Sequence, residues 1–189
     1  MTNSETNLDG KILIAMPGMN DPRFERSVVY MCAHSADGAM GLIINKPADG
    51  LKFNDLLDQL DIKPSRPIGT VPVHMGGPVE HGRGFVLHSR DYSAQEATLD
   101  VTDQIGMTAS LEILEDISNG DGPDFCLLAL GYSGWGPGQL EQEIQANGWL
   151  IADAPDALVF ASNSDNKWDA ALDTLGIDPR MLSATGGRA

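Results

Sequence analysis

Basic residues are scarce in this chain of 189 residues: 12 Lys+Arg stand against 27 Asp+Glu, a formal net charge of −15. Lys and Arg neutralising phosphates supply most non-specific nucleic-acid affinity. Even Arg23 and Arg26 have Glu25 between them, and no aromatic-interleaved basic stripe appears. Direct nucleic-acid binding is therefore not expected, and anionic membrane surfaces are disfavoured for the same reason. Cysteine is nearly absent too. Cys32 and Cys126 make no disulfide framework, and both fall inside apolar strand-like runs, where a cysteine packs as a small hydrophobe. No apolar run approaches the roughly 18 residues of a spanning helix. The opening MTNSETNLDG lacks the basic start and apolar run of a signal peptide, so a cytoplasmic protein is expected.

What is present reads as one α+β domain over 1–189, with residues 1–9 and 184–189 as flexible ends. Strands are predicted over Lys11–Ala15 (KILIA), Ser27–Ala33 (SVVYMCA, apolar on both alternating sets) and Ala39–Asn45, the last two as a hairpin around His34–Gly38. Phe53, Leu56, Leu57 and Leu60 recur at helical spacing, and Pro64 and Pro67 forbid continuation. Val71–Met75, Gly84–His88 and Thr98–Ile105 read as strands. Ser110 is the expected cap of a helix with Leu111, Leu114 and Ile117 inward and Glu112 in its first turn. Phe125–Leu130 (FCLLAL) is the expected central strand, followed by a glycine-rich loop over Gly131–Gly138. A helix over Gln139–Asn147 stops at Gly148, Ala157–Ala161 reads as a last strand, and a final helix buries Trp168, Ala171, Leu172 and Leu175 between Asn166 and Gly176. Strands in runs with about four short helices favour α+β, a mixed or largely antiparallel sheet with helices packed on it, over regular βαβ winding.

Three patterns carry candidate chemistry. Gly131-Tyr132-Ser133-Gly134-Trp135 places a serine on an expected strand-to-helix turn, as in a nucleophile elbow. Trp135 stands where the elbow needs glycine, and all four histidines (34, 74, 81, 88) precede the serine, so a structural turn outweighs hydrolysis. The same glycines before a helix suggest an anion cradle, but Glu141 and Glu143 occupy that helix start and no lysine follows. His74, His81 and His88 are spaced seven apart, and a hairpin folding symmetrically about His81 would face His74 with His88 as metal ligands. Hydrogen-bonded strand-end histidines are the commoner outcome. Of the three tryptophans Trp135, in its loop, is the candidate for exposed contact area, although packing over the adjacent strand is the stronger reading.

Taken together, three blocks resemble the AlgH/YqgE family of small bacterial proteins. These are Met16-Pro17 through Asp21-Pro22 and Phe24, with SVVYMCAH and GAMGLIINKP; Gly76-Gly77-Pro78-Val79 with Arg83-Gly84-Phe85-Val86-Leu87-His88; and LGYSGWGPGQLEQEI with Asn147-Gly148-Trp149-Leu150. The similarity runs from about Leu13 to Leu182, and it includes His88 but not His74. It implies a single-domain α+β fold around a largely antiparallel or mixed sheet. It brings no cofactor, no metal and no catalytic residue set; the label of regulator of alginate production carried by some members implies a role in gene expression. The expectation is a non-enzymatic binding or regulatory protein with a protein partner. The alternative is a small-ligand or hydrolase-like cleft lined by Asn45, Gly76, Gly77, Arg83, His88, Ser133, Trp135 and Gln139.

Overall fold

The computed structural model describes residues 7–19, 21–161 and 164–182. Its sheet has nine strands: β1 (Lys11–Ala15), β2 (Val28–Ser35), β3 (Gly38–Ile43), β4 (Val73–Met75), β5 (Val79–Ser89), β6 (Thr98–Asp100), β7 (Ile105–Thr108), β8 (Cys126–Trp135) and β9 (Trp149–Asp153). The spatial order is β6-β7-β5-β8-β3-β2-β1-β9, all antiparallel, with β4 added parallel to β8. Among the described residues five α-helices pack on it: α1 (Phe53–Gln59), α2 (Leu111–Asn119), α3 (Gln139–Gln145), α4 (Asp156–Val159) and α5 (Lys167–Thr174).

Alternation along the strands divides the core. Ile12, Ile14, Val28 and Tyr30 point to the same side as Phe85, Leu87, Ile105 and Met107, and meet Trp168 and Leu172 of α5 in one cluster. Strands from both ends of the sheet thus share one core, which requires the sheet to curl around α4 and α5. The opposite face carries two smaller clusters. Leu13, Val29, Met31 and Trp149 pack with Leu140 of α3, while Val86 and Leu128 pack with Leu57 of α1 and Ile113 of α2.

The α+β class and largely antiparallel sheet are as the sequence implies; several local readings are corrected. The hairpin of β2 and β3 turns in two residues, since Ser35 already pairs with Gly38. Thr98–Ile105 is not one strand, because Val101–Gln104 turn between β6 and β7. Ala157–Ala161 is not a strand: Pro155 starts a helix there, Leu158 and Val159 are buried, and the strand lies earlier at β9, paired along β1. In α2 the inner residues are Ile113, Leu114 and Ser118, whereas Leu111 is 57% exposed. Leu175 is likewise exposed. The helix over 139–147 ends at Gln145; Asn147 takes the left-handed turn, and the Gly148 N–H bonds back to the Glu143 carbonyl. Leu8 is buried rather than frayed, while residues 1–6 and 184–189 lie outside the described residues.

The largest correction concerns Gly131–Gly138. Its first five residues are not a loop but the second half of β8, and Ser133 and Gly134 pair with Gly41 and Met40 of β3. Glycine serves here to let strands and a crossing loop approach. A Cβ on Gly77 would lie 2.1 Å from the Tyr132 carbonyl carbon and 2.4 Å from the Ser133 nitrogen.

Candidate functional site

The expected cleft residues do not converge. Asn45 clamps the start of β2, its Oδ1 accepting from Val28 N–H at 2.9 Å and its Nδ2 donating to the Arg26 carbonyl at 2.8 Å. Ser133 is fully buried within β8 and donates to the Gly76 carbonyl at 3.2 Å. Gly76, Gly77 and Ser133 are therefore brought together, as backbone packing. No strained turn presents the hydroxyl to solvent, so the elbow reading is withdrawn. Trp135 packs inward, as the stronger reading has it, though from a strand and not a loop. It is buried, 6.0 Å from the ring of Trp149 and 6.4 Å from that of Phe24. Gln139 folds its Oε1 back to accept from Gly136 N–H at 3.0 Å, which occupies the would-be anion cradle. Arg83 stays at the surface, 3.6 Å from Glu80 and stacked over Phe85.

His88 is fully buried, and its hydrogen bonds run in one forced direction. The Ser89 carbonyl can only accept, so Nδ1 carries the proton across 2.8 Å. Nε2 must then accept from Thr108 Oγ1 at 2.8 Å; Thr108 in turn accepts from Thr98 Oγ1 at 2.7 Å, and Thr98 from Ala94 N–H at 2.8 Å. Burial holds the imidazole below its ordinary pKa, and no donor or acceptor on it is left for a substrate. His88 sits opposite Cys126 at one end of β8, seven residues from Ser133. At strand rise that separates them by roughly 23 Å. The symmetric hairpin about His81 does not form either. β4 and β5 do not pair with each other; both pair with β8, His74 opposite Ala129. Among the described residues no group of three or more His, Cys, Asp or Glu side chains is placed to hold a metal.

Two constellations escaped the sequence reading. The first is buried. His74, 2% exposed, lies 3.0 Å through Nε2 from Ser164 Oγ, and its Nδ1 meets no partner. Lys167, 1% exposed, donates to the carbonyls of Ile44 at 2.8 Å and Val159 at 2.9 Å. Burial, then the charge of Lys167, brings His74 down to about 4; burial brings Lys167 down to about 8. At neutral pH the pair is an imidazole beside an ammonium. Serine, histidine and lysine are nucleophile and base types, but none of these three is open to solvent. The available signal was the i, i+4 spacing of Lys167 and Ala171, which puts the lysine on the inner face of α5.

The second constellation is open. His34 lines two adjoining cavities of about 740 Å³ each, one also lined by Glu141 and Ile144 of α3 and the other by Arg83, Tyr132 and Trp135. Its Nδ1 accepts from Leu8 N–H at 3.3 Å, so Nε2–H donates to Glu141 Oε1 at 2.5 Å. That hydrogen bond holds the Glu141 carboxyl below the usual carboxylate range. With both ring nitrogens engaged, His34 positions α3 against β2 rather than standing free as a base. Cys32, two residues earlier, is a free buried thiol pushed up to about 12 by burial, and Cys126 is a free thiol pushed up to about 11. Neither ionises near neutrality.

The fold and these sites define a class: a curled α+β scaffold with a closed polar interior and apolar side chains left at its surface. The chain belongs to the AlgH-like family (DUF179), whose model matches residues 12–180. It is 59% identical over 184 residues to a UPF0301 protein of Ruegeria pomeroyi and 57% identical over 184 residues to one of Cereibacter sphaeroides; each match covers 97% of this chain and all of the relative. The solution structure of the AlgH protein from Pseudomonas aeruginosa is similar at TM-score 0.77 and 39% identity, with both chains fully covered. A crystal structure from Corynebacterium diphtheriae, at TM-score 0.71 and 22% identity over 92% of this chain and 90% of that one, shares the fold. No helix among the described residues is long and apolar enough to cross a membrane.

Proposed function

We propose that this protein is a non-enzymatic, cytoplasmic binding protein that acts by contact with another protein. One observation carries the reading. The polar side chains that would do chemistry are buried and hydrogen-bonded into the fold, as Ser133 and His88 are, while Leu60, Leu111, Phe125 and Met181 stand exposed. Buried polar groups satisfied by their own fold serve structure, whereas apolar surface retained in water marks contact. A role in gene expression is then indirect, since a chain of net charge −15 meets the proteins that handle nucleic acid more readily than the nucleic acid itself.

A small-ligand site is the second reading, carried by the position of His34 between two cavities. One experiment separates these from catalysis. Purified wild-type, Ser133→Ala and His34→Ala chains are assayed against ester, amide and phosphoester panels, and tagged chain is photo-crosslinked in cells. Discrete protein adducts without turnover are expected. Turnover that disappears in either variant overturns the proposal.

A further inference from the structure

An apolar groove opens between α1 and the start of α2, over the face of β5 and β8. Val86, Leu128 and Leu130 floor it, and its volume is about 270 Å³. One wall ends in Leu60, 42% exposed, and the other begins with Leu111, 57% exposed. Exposure of leucine on both walls of one concavity is unfavourable in isolation and signals a surface that something covers.

Ser110, also in the lining, strengthens this. It occupies the N-cap position of α2, where a serine ordinarily accepts a hydrogen bond from the first turn. Here its hydroxyl caps nothing; Oγ is buried without a partner.

Charge specifies what covers the groove. Exposed Glu112 and Glu115 lie on α2, and Asp58 and Asp61 on and just after α1. Among the described residues none of the four is in an ion pair. Lys52 and Lys63 flank α1, and the groove's own cation, Arg83, is paired with Glu80; from Ala109 to Asp121 there is no basic residue. The α2 wall is therefore the negative one.

The backbone specifies its conformation. At Val86 β5 is paired with both β7 and β8, and at Leu128 and Leu130 β8 is paired with both β5 and β4, so the floor offers no free strand edge; the β7 side of β5 is open before Val86, at the rim. An extended peptide would find no backbone partners there, whereas a helix satisfies its own N–H and C=O groups and needs only side-chain contacts.

We propose that this groove receives an amphipathic helix of a partner protein, its apolar anchors seated between Leu60 and Leu111 and its lysines or arginines along the α2 wall. This rests on the protein-contact reading above and names the partner's chemistry.

The test uses the full chain and a fluorescently labelled synthetic helix of leucine and lysine, its leucines on one face. Fluorescence anisotropy at low salt is compared with a scrambled peptide of the same composition, which keeps the charge and loses the face. Saturable binding of the amphipathic peptide is expected, with the scrambled one much weaker. Leu111→Lys and Glu115→Lys, both at exposed positions and checked for an unchanged thermal melt, should each weaken binding by about tenfold or more, roughly 1.4 kcal/mol. Absence of binding, equal binding of the scrambled peptide, or unchanged affinity in Leu111→Lys overturns the groove assignment. So does a change of oligomeric mass in Leu111→Lys by ultracentrifugation, which would make a second copy of this chain the occupant. A failed titration alongside persistent crosslinked adducts sinks the groove alone. Turnover lost in Ser133→Ala sinks the contact reading and leaves the titration standing.

Discussion

The two halves of β8 solve the same problem by opposite means. From Cys126 to Leu130 the strand is held by side chains: Leu127 and Ala129 enter the core under α5, and Leu128 enters the core under α1 and α2. Its neighbours β4 and β5 run beside it in steady register. From Gly131 to Ser133 it is held by backbone lying on backbone, before the Trp135 ring returns to side-chain packing. The loop carrying Gly76 and Gly77 crosses it closely, and the register against β5 jumps between Val79 and Gly84. Side-chain packing tolerates some change of volume, because neighbours relax into the space. Backbone contact at 2 Å from a would-be methyl leaves nothing soft to move.

The sharpest way to break that contrast is one carbon atom. Gly77→Ala sets a Cβ against the Tyr132 carbonyl and is expected to destabilise by more than about 3 kcal/mol or to prevent folding. Gly82, a few residues away in β5, would have nothing within 4 Å of a Cβ, and Gly82→Ala should stay within about 0.5 kcal/mol of wild type. Urea midpoints of the two variants decide it. Similar midpoints would mean that the second half of β8 is as compliant as the first.

Acid should act on the first half, which is flanked by two buried histidines. His74 on β4 is opposite Ala129, and His88 on β5 is opposite Cys126. His74 has a pKa of about 4 in the fold against an ordinary 6.5. Between those values the unfolded chain binds the proton that the folded chain refuses, so stability is lost as pH falls through that window. For His74 alone the loss between about pH 7 and about pH 5 is about 2 kcal/mol. His88, also held low by burial, acts in the same direction. His74→Gln should flatten the pH dependence of the urea midpoint over this range; an unchanged slope would mean that His74 opens to water without cost.

The same contrast explains what was legible beforehand. FCLLAL announces a buried strand because side chains do the packing and hydrophobicity records it, although Phe125 itself is exposed. GYSGW carries no such record: glycine required by a crossing backbone has the same spelling as glycine in a loop. β9 is silent in the sequence because its apolar residues follow a helix stop without alternation, and α4 reads as a strand because ALVF favours strands until Pro155 sets a helix start. The resemblance supplied the family, while the α+β class already followed from runs of strands with a few short helices. Apart from Arg83, which stays at the surface, the candidate residues it highlighted serve the packing of the fold, and which hydroxyl His88 meets depends on β7 placing Thr108 beside it. Lys167 gives no signal of its own in the sequence because lysine ordinarily means solvent, and only the pairing of two carbonyls makes its burial tolerable.

Ser133 is the residue on which chemistry and architecture make opposite forecasts, and the loss expected there is smaller than those at Gly77 and His74. Its hydroxyl donates to a Gly76 carbonyl that already accepts from Ile43 N–H at 2.9 Å. Removing the hydroxyl therefore orphans no buried acceptor, and only the net worth of one neutral hydrogen bond is lost. Ser133→Ala is expected to lower stability by about 1 kcal/mol or less, far below Gly77→Ala, although the two sites touch. Binding of the amphipathic peptide should be unchanged, because Ser133 belongs to the backbone-packed half of β8 and the groove to the side-chain-packed half. A Ser133→Ala chain as unstable as Gly77→Ala would make the serine a support of that half, and a stable Ser133→Ala chain that no longer binds would mean that the two halves work as one site.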